Sequence, residues 1–370
     1  MKKLVTITVI CAIALFTLSL TDKKSGLTKN FSFGDAQIAS INQLAFGPEG
    51  ILFIGDSKNA AIYAIDTKDR VEKEKSEDIN VDDFDIKIAE ALGHKVENIA
   101  ITDMAVNPIS KSVYFSVNVT DGTPVVLKLV GDGFENISLK STSFSKMPLE
   151  NPVGLDEKDR RGRSIRNWAI ADMKYHKGNV MVSGLSNKEF KSTFRSIPFP
   201  FNEEQDYASL EIWHAAHGRF ETYAPIKAFD IISIENKDYL MAGYTCTPLV
   251  LFPLNDLKNG THLKGRTIAE LGAGNSPIDM IQYEKNGELL VYISNSNRPV
   301  MRLKYDDIIN FKDSITHEVS EFGASDGLDY DNLPFVNVLQ MDNLDQDNAL
   351  LLRRTSSGNL VLTSRSKKWM

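Results

Sequence analysis

Cysteine is almost absent: the chain of 370 residues has two, Cys11 and Cys246, so no disulfide framework can hold the fold. Positive charge is in deficit as well. With 42 Lys and Arg against 49 Asp and Glu, the formal net charge of -7 excludes a broad basic face of the kind that neutralises phosphates, so no nucleic-acid partner is expected. Beyond residue 20 no apolar run is long enough to cross a bilayer. Missing too are a Gly-rich phosphate loop ending in Gly-Lys and a His-Glu-x-x-His zinc helix. What remains is ordinary for a large core: 42% hydrophobic, 9% aromatic and 25% charged residues exclude disorder over most of the chain.

The N-terminus reads Met1, Lys2, Lys3, then an apolar run over residues 4–20 and the polar stretch Thr21-Asp22-Lys23-Lys24-Ser25. A charged start followed by such a run is the grammar of an export signal over residues 1–20. An uncleaved membrane anchor is the competing reading, because the run approaches spanning length. Export places the mature chain, residues 27–370, in a periplasmic or extracellular setting with no stable membrane span. Cys11 lies inside the signal, so the mature chain keeps Cys246 alone.

Self-similarity is the strongest feature of the remainder. An apolar strand with a polar residue near its start is followed by a turn and a second apolar strand. Examples are Ile101-Thr102-Asp103-Met104-Ala105-Val106 before Ser112-Val113-Tyr114-Phe115-Ser116, and Ile278-Asp279-Met280-Ile281-Gln282-Tyr283 before Glu288-Leu289-Leu290-Val291-Tyr292. Six copies at spacings of roughly 50 to 70 residues, each with a third and usually a fourth strand candidate, predict an all-β propeller of six four-stranded blades. The sixth copy lacks a fourth strand at the C-terminus, and Asn30-Phe31-Ser32-Phe33 is the expected donor that closes the ring and hides its edges. Residues 82–92 depart from the pattern: Phe84, Ile88 and Leu92 have helical spacing behind Asp82 and Asp83, predicting one short helical insertion. Residues 186–207 read as a second insertion, a long apolar loop.

In a propeller the first strand of each repeat lines the central channel. Aligned copies then bring Gln43, Asp103, Asp172, Asp230, Asp279 and Asn337 to one mouth as a candidate ligand-binding ring. Four carboxylates in one place repel unless something compensates them. Oxygen-only ligation suits calcium, so Asp103, Asp172, Asp230 and Asp279 are candidate Ca2+ ligands. Equally, each Asp can cap its own strand by accepting backbone N–H groups. Loops joining second to third strands should emerge on the same mouth, adding Arg195, Asn295 and Arg298 to the candidate ligand site.

Three further features are weaker. His214-Ala215-Ala216-His217 has two imidazoles three residues apart, but a count of strands places it on the far mouth as a poor metal pair. Cys246, in Tyr244-Thr245-Cys246-Thr247-Pro248, reads as a buried small hydrophobe without an activating histidine in its own repeat. Lys158-Asp159-Arg160-Arg161-Gly162-Arg163 is a basic connector, either solvated or facing an anion or an acidic partner.

The segments Gly184-Leu185-Ser186-Asn187-Lys188-Glu189-Phe190, Arg195-Ser196-Ile197-Pro198-Phe199-Pro200-Phe201, Tyr244-Thr245-Cys246-Thr247-Pro248 and Gly274-Asn275-Ser276-Pro277-Ile278-Asp279-Met280 resemble an uncharacterised family of exported bacterial β-propeller proteins over most of the mature chain. More distantly the repeat is similar to YVTN and NHL type propellers, which implies binding of proteins or ligands more often than catalysis. Expected function is therefore binding of a small molecule or protein at the acidic mouth. The alternative is a calcium-type, metal-assisted hydrolase or lactonase in which a cation on the Asp ring polarises substrate or activates water.

Overall fold

Two-residue turns set the local structure. Lys177-Gly178, Glu235-Asn236 and Asn286-Gly287 each carry positive φ at both positions, the conformation that matches the right-handed twist of the strands they join. Each lies between the first and second strand of a repeat. Second strands such as Ile51–Asp56 are buried at every position. They read as continuous apolar runs, not alternating ones, because both faces of the blade pack against neighbours.

The computed structural model describes residues 26–370; the expected export signal lies outside the described residues. It shows six β-sheets arranged as a six-bladed propeller with the short helix Phe84–Leu92 inserted. Blade 1 comprises Gln43–Phe46, Ile51–Asp56, Ala61–Asp66 and Thr142–Pro148; blade 2, Ile99–Val106, Val113–Val119, Pro124–Val130 and Gly133–Ile137. Blade 3 is Asp172–His176, Asn179–Leu185, Ser192–Pro198 and Asp206–His214; blade 4 is Ile226–Ile234, Lys237–Tyr244, Pro248–Pro253 and Arg266–Glu270. Blade 5 has Pro277–Lys285, Glu288–Asn295, Met301–Lys304 and Asp331–Asn332, and blade 6 has Val338–Asn343, Asn348–Arg354, Leu360–Ser366 and Asn80–Val81.

The blades are not arranged in chain order. Apolar clusters join blade 1 to blade 3 through Phe53, Met173 and Val182, blade 1 to blade 2 through Ile54 and Tyr114, and blade 2 to blade 6 through Phe115, Leu350 and Leu362. Further clusters join 3 to 4, 4 to 5 and 5 to 6, so the ring reads 3-4-5-6-2-1 and returns to 3. Two blades are consequently stitched from distant segments. Blade 1 takes its fourth strand from Thr142–Pro148, after blade 2, and blade 6 takes its fourth from Asn80–Val81, where Val81 pairs with Leu362.

Two expectations are corrected here. Ring closure is made by Asn80–Val81, while Ser32–Gly34 adds a fifth strand to blade 1 by pairing with Thr142 to Phe144. The supposed insertion over residues 186–207 contains the third strand of blade 3, Ser192–Pro198, in register with Asn179 to Leu185. Its aromatic residues are core: Phe194 packs on Phe229, and Phe199 sits 4.8 Å from the Phe53 ring in an edge contact. The helix behaves as its spacing requires, burying Phe84 and Ile88 while Asp85 accepts the Leu360 N–H.

Candidate functional site

First strands line a central cavity of about 320 Å³ bordered by Gln43, Asp103, Asp172, Lys174, Lys227, Asp279, Gln340 and Asp342. Each axial carboxylate makes a bond within its own blade: Met104, Met173, Ile231, Met280 and Asn343 donate their N–H to Asp103, Asp172, Asp230, Asp279 and Asp342 at 2.7–2.8 Å. In four of them the second oxygen reaches the next blade. Phe229 N–H donates to Asp172, Met341 to Asp279, Val106 to Asp342 and Leu44 to Asp103, all at 2.7–2.8 Å. These bonds run in one direction around the ring and act as staples between neighbours, satisfying N–H groups that the channel would otherwise leave bare.

Asn337 is not the sixth member. It precedes its strand with φ of 55°, and Asp342, near the end of Val338–Asn343, takes the place instead. Asp279 lies near the start of Pro277–Lys285, so the carboxylates are staggered along the channel and do not share one plane at a mouth. Sequence alignment matched apolar pattern to apolar pattern and could not see that shift.

Lys174, overlooked in the sequence, decides the electrostatics. Its Nζ crosses the channel to donate to the Met280 carbonyl at 3.0 Å. Burial alone would lower its pKa, but Asp230, Asp172, Asp279 and Asp342 outweigh burial and hold the ammonium above its ordinary range. Burial pushes Asp172 up to about 6 and Asp279 up to about 7, with Lys174 opposing both shifts. Asp103 stands well above its ordinary value through burial and the charge of Asp279. Lys227, its Nζ 3.6 Å over the Trp168 ring, is pushed by burial down to about 8 against the pull of Asp172.

Arg195, Asn295 and Arg298 do not line this cavity. Arg195 belongs to a strand and is fully buried, donating to Thr193 Oγ1 at 3.0 Å and the Glu150 carbonyl at 3.0 Å. Asn295 accepts from Asn275 Nδ2 at 2.8 Å, and Arg298 donates to the Gly323 carbonyl. Both brace the loop around Gly272 and Gly274.

That loop borders a second site, which the strand count misplaced. Because Asp206–His214 is the fourth strand of blade 3 and not the third, His214 and His217 emerge on the same face as the turn carrying Cys246 in blade 4. One ligand atom from each of His214, His217 and Cys246 lies within 4.8 Å of the others. It is the one such triad of His, Cys, Asp or Glu among the described residues. The signal that could have found it was the pair of segments His214-Ala215-Ala216-His217 and Tyr244-Thr245-Cys246 on adjacent blades, had the blade 3 register been right. Gly323-Ala324-Ser325-Asp326-Gly327, spelled like a nucleophile elbow, lies at the outer edge of blade 4, where Asp326–Gly327 pairs with Ala269 and Glu270 instead of opening a helix.

No family model and no curated protein matches the chain. Among solved structures it is similar to a chain of the mitotic checkpoint complex, at 9% identity over 98% of this chain and 100% of that one, with a TM-score of 0.40. It is also similar to a GH43 endo-arabinanase from Bacillus licheniformis (11% identity, 73% of this chain and 94% of that one, TM-score 0.36). A third likeness is to the PQQ-bound aldose sugar dehydrogenase from Streptomyces coelicolor (11% identity, 90% and 97% covered, TM-score 0.29). Likenesses this remote carry no argument about activity. The six-bladed architecture rests on the strand pairing itself, and no described helix is long and apolar enough to cross a membrane.

Proposed function

We propose that this protein is an exported binding propeller whose axial cavity takes a small organic cation or a basic side chain of a protein partner. The observation that supports this reading is the excess of acidic groups over ammonium groups in the cavity: Asp103, Asp172, Asp279 and Asp342 border it beside Lys174 and Lys227, and a guest cation would favour the ionised form of carboxyls that burial holds high. A guest ammonium would find carboxylate oxygens with spare lone pairs, since each carboxylate has more acceptor capacity than its backbone bonds use. Calcium fits less well. Lys174 already stands among the carboxylates as a resident cation, and a hard divalent ion would have to displace it or share its ligands. The calcium-assisted hydrolase or lactonase reading weakens with it.

Titration calorimetry of the mature chain with putrescine and, separately, with CaCl2 tests the proposal. Putrescine should bind, and Asp172→Asn with Asp279→Asn should weaken it together by more than either alone, as groups serving one ligand do. Calcium should leave the melting temperature unchanged. One equivalent of calcium bound, and lost in the double variant, would replace this reading by the metal-assisted one; no heat with either probe would reject the axial site.

A further inference from the structure

His214 ends the long outer strand of blade 3, and His217 follows one 3-10 turn later, stopped by Gly218 at φ of 56°. Both imidazoles are tied to one carboxylate. Glu221 Oε2 accepts from His214 Nδ1 at 2.9 Å, and Glu221 Oε1 accepts from His217 Nδ1 at 2.8 Å. Arg219 Nε at 3.0 Å and the Tyr223 hydroxyl at 2.8 Å donate to the same Oε1. With Glu221 accepting at Nδ1 of each ring, the Nε2 of each ring, the other atom that can bind a metal, is turned away from it.

His214 is 1% exposed, and its Nε2 is buried without a hydrogen bond. A buried imidazole nitrogen left unmatched costs free energy that the hydrogen bonds at Nδ1 do not return. Facing it from blade 4 is Cys246, half-buried, on a turn where Cys246 has φ of 63° and Thr247 has φ of 75°. Two consecutive left-handed residues, one of them β-branched, form an uncommon backbone that persists only where its surroundings enforce it. Glu270 bridges the two turns: its Oε1 lies 3.0 Å from Thr247 Oγ1, which also reaches the Cys246 and Gly272 carbonyls, while its Oε2 accepts from Ala216 N–H at 3.3 Å between the two histidines. One buried carboxylate thus fixes the cysteine turn and the histidine turn relative to each other.

We propose that His214, His217 and Cys246 are the protein ligands of a single borderline-soft divalent metal ion of the zinc class, with the fourth position open to water or an exogenous ligand. Two imidazole nitrogens and a thiolate are the donors such an ion prefers, and they discriminate against calcium and magnesium, which take oxygen. Glu221 supplies the carboxylate behind each histidine that metal-ligating imidazoles usually have, fixing tautomer and ring orientation together. Glu221 and Glu270 are positioning residues; neither is a ligand. The centre is separate from the axial cavity and does not depend on a guest there.

Metal binding is read on the mature chain after chelator treatment and dialysis. One equivalent of zinc should raise the melting temperature, and cobalt in its place should give a thiolate-to-metal charge-transfer band. Cys246→Ala should abolish that band, His214→Ala should weaken zinc by at least 100-fold, and Glu221→Gln by about 10- to 100-fold. Zinc should also protect Cys246 from alkylation, followed on its own peptide by mass spectrometry, a measurement that needs no variant and holds even if a substitution fails to fold. Alkylation of Cys246 at the same rate with and without zinc, or a cobalt complex lacking the thiolate band, would overturn the proposal.

Discussion

The axial channel and the His214–Cys246 corner are both polar, yet they are built on opposite principles. In the channel every aspartate has an N–H donor from its own blade, four reach a second blade, and Lys174 balances the charge from within. At the corner two histidines share one carboxylate, a nitrogen of His214 is left over, and the facing turn is held in a left-handed conformation. The channel network clamps the blades together while keeping spare acceptor lone pairs toward the cavity, whereas the corner leaves a buried nitrogen without a partner beside a turn of uncommon geometry.

Breaking the balance in the channel should have the largest effect. Lys174→Met removes the resident cation from among buried carboxylates and should cost about 3–5 kcal/mol, measured by urea unfolding at pH 7.5. A loss below about 1 kcal/mol would show that solvent, not Lys174, neutralises the ring. Next comes the staple itself. Asp279→Ala strands the N–H groups of Met280 and Met341 and should cost about 2 kcal/mol, whereas Asp279→Asn keeps one acceptor and should cost about half that. Equal losses for the two substitutions would show that the charge matters and the hydrogen bonds do not.

Acid sharpens the contrast, because the two regions titrate with opposite sign. Asp172 and Asp279 have folded pKa values of about 6 and about 7, above their ordinary 3.8, so between those limits the folded protein binds more protons than the unfolded chain. Their contribution to stability is greatest at low pH and falls as pH rises through that window. Glu221 is shifted the other way. Its contribution is present above its ordinary 4.5 and is lost as pH falls through its depressed value. The parent's melting temperature should therefore decline between pH 5 and 7.5, Asp172→Asn/Asp279→Asn should lose that decline, and Glu221→Gln should keep it; the reverse pattern would undo the assignment.

Smallest, and of opposite sign, is the effect of relaxing the corner. Cys246→Gly admits the positive φ without strain and should raise apo-protein stability by up to about 1 kcal/mol while removing the thiolate. Destabilisation instead would mean that Cys246 is there for packing.

Much of this was legible in the sequence. The six-fold recurrence of the strand pattern was enough for the blade count, and of the aspartates at the first strands Asp103, Asp172 and Asp279 border the central cavity while Asp230 does not. Asp342 escaped because Asn337 fits the apolar pattern and nothing local signals the stagger between Pro277–Lys285 and Val338–Asn343. Lys174 escaped because an isolated lysine in a strand looks solvated until the ring closes around it. The His214, His217 and Cys246 centre depended on knowing that Ser192–Pro198 is a strand: with it read as loop, every later strand of blade 3 pointed the wrong way.

The non-sequential winding has a consequence for how the molecule is made. The first three strands of blade 1 are complete by Asp66, but their sheet waits for Thr142–Pro148, and Asn80–Val81 has no partner until Leu360–Ser366 has been synthesised. Blade 2 is finished from local sequence, then must be clasped between two blades that each take one of their four strands from elsewhere. Pairings this far apart along the chain are slow to form, since loop closure precedes the reward of contact. The nascent chain therefore stays open until its last strand arrives, so the ring locks only once synthesis is nearly complete.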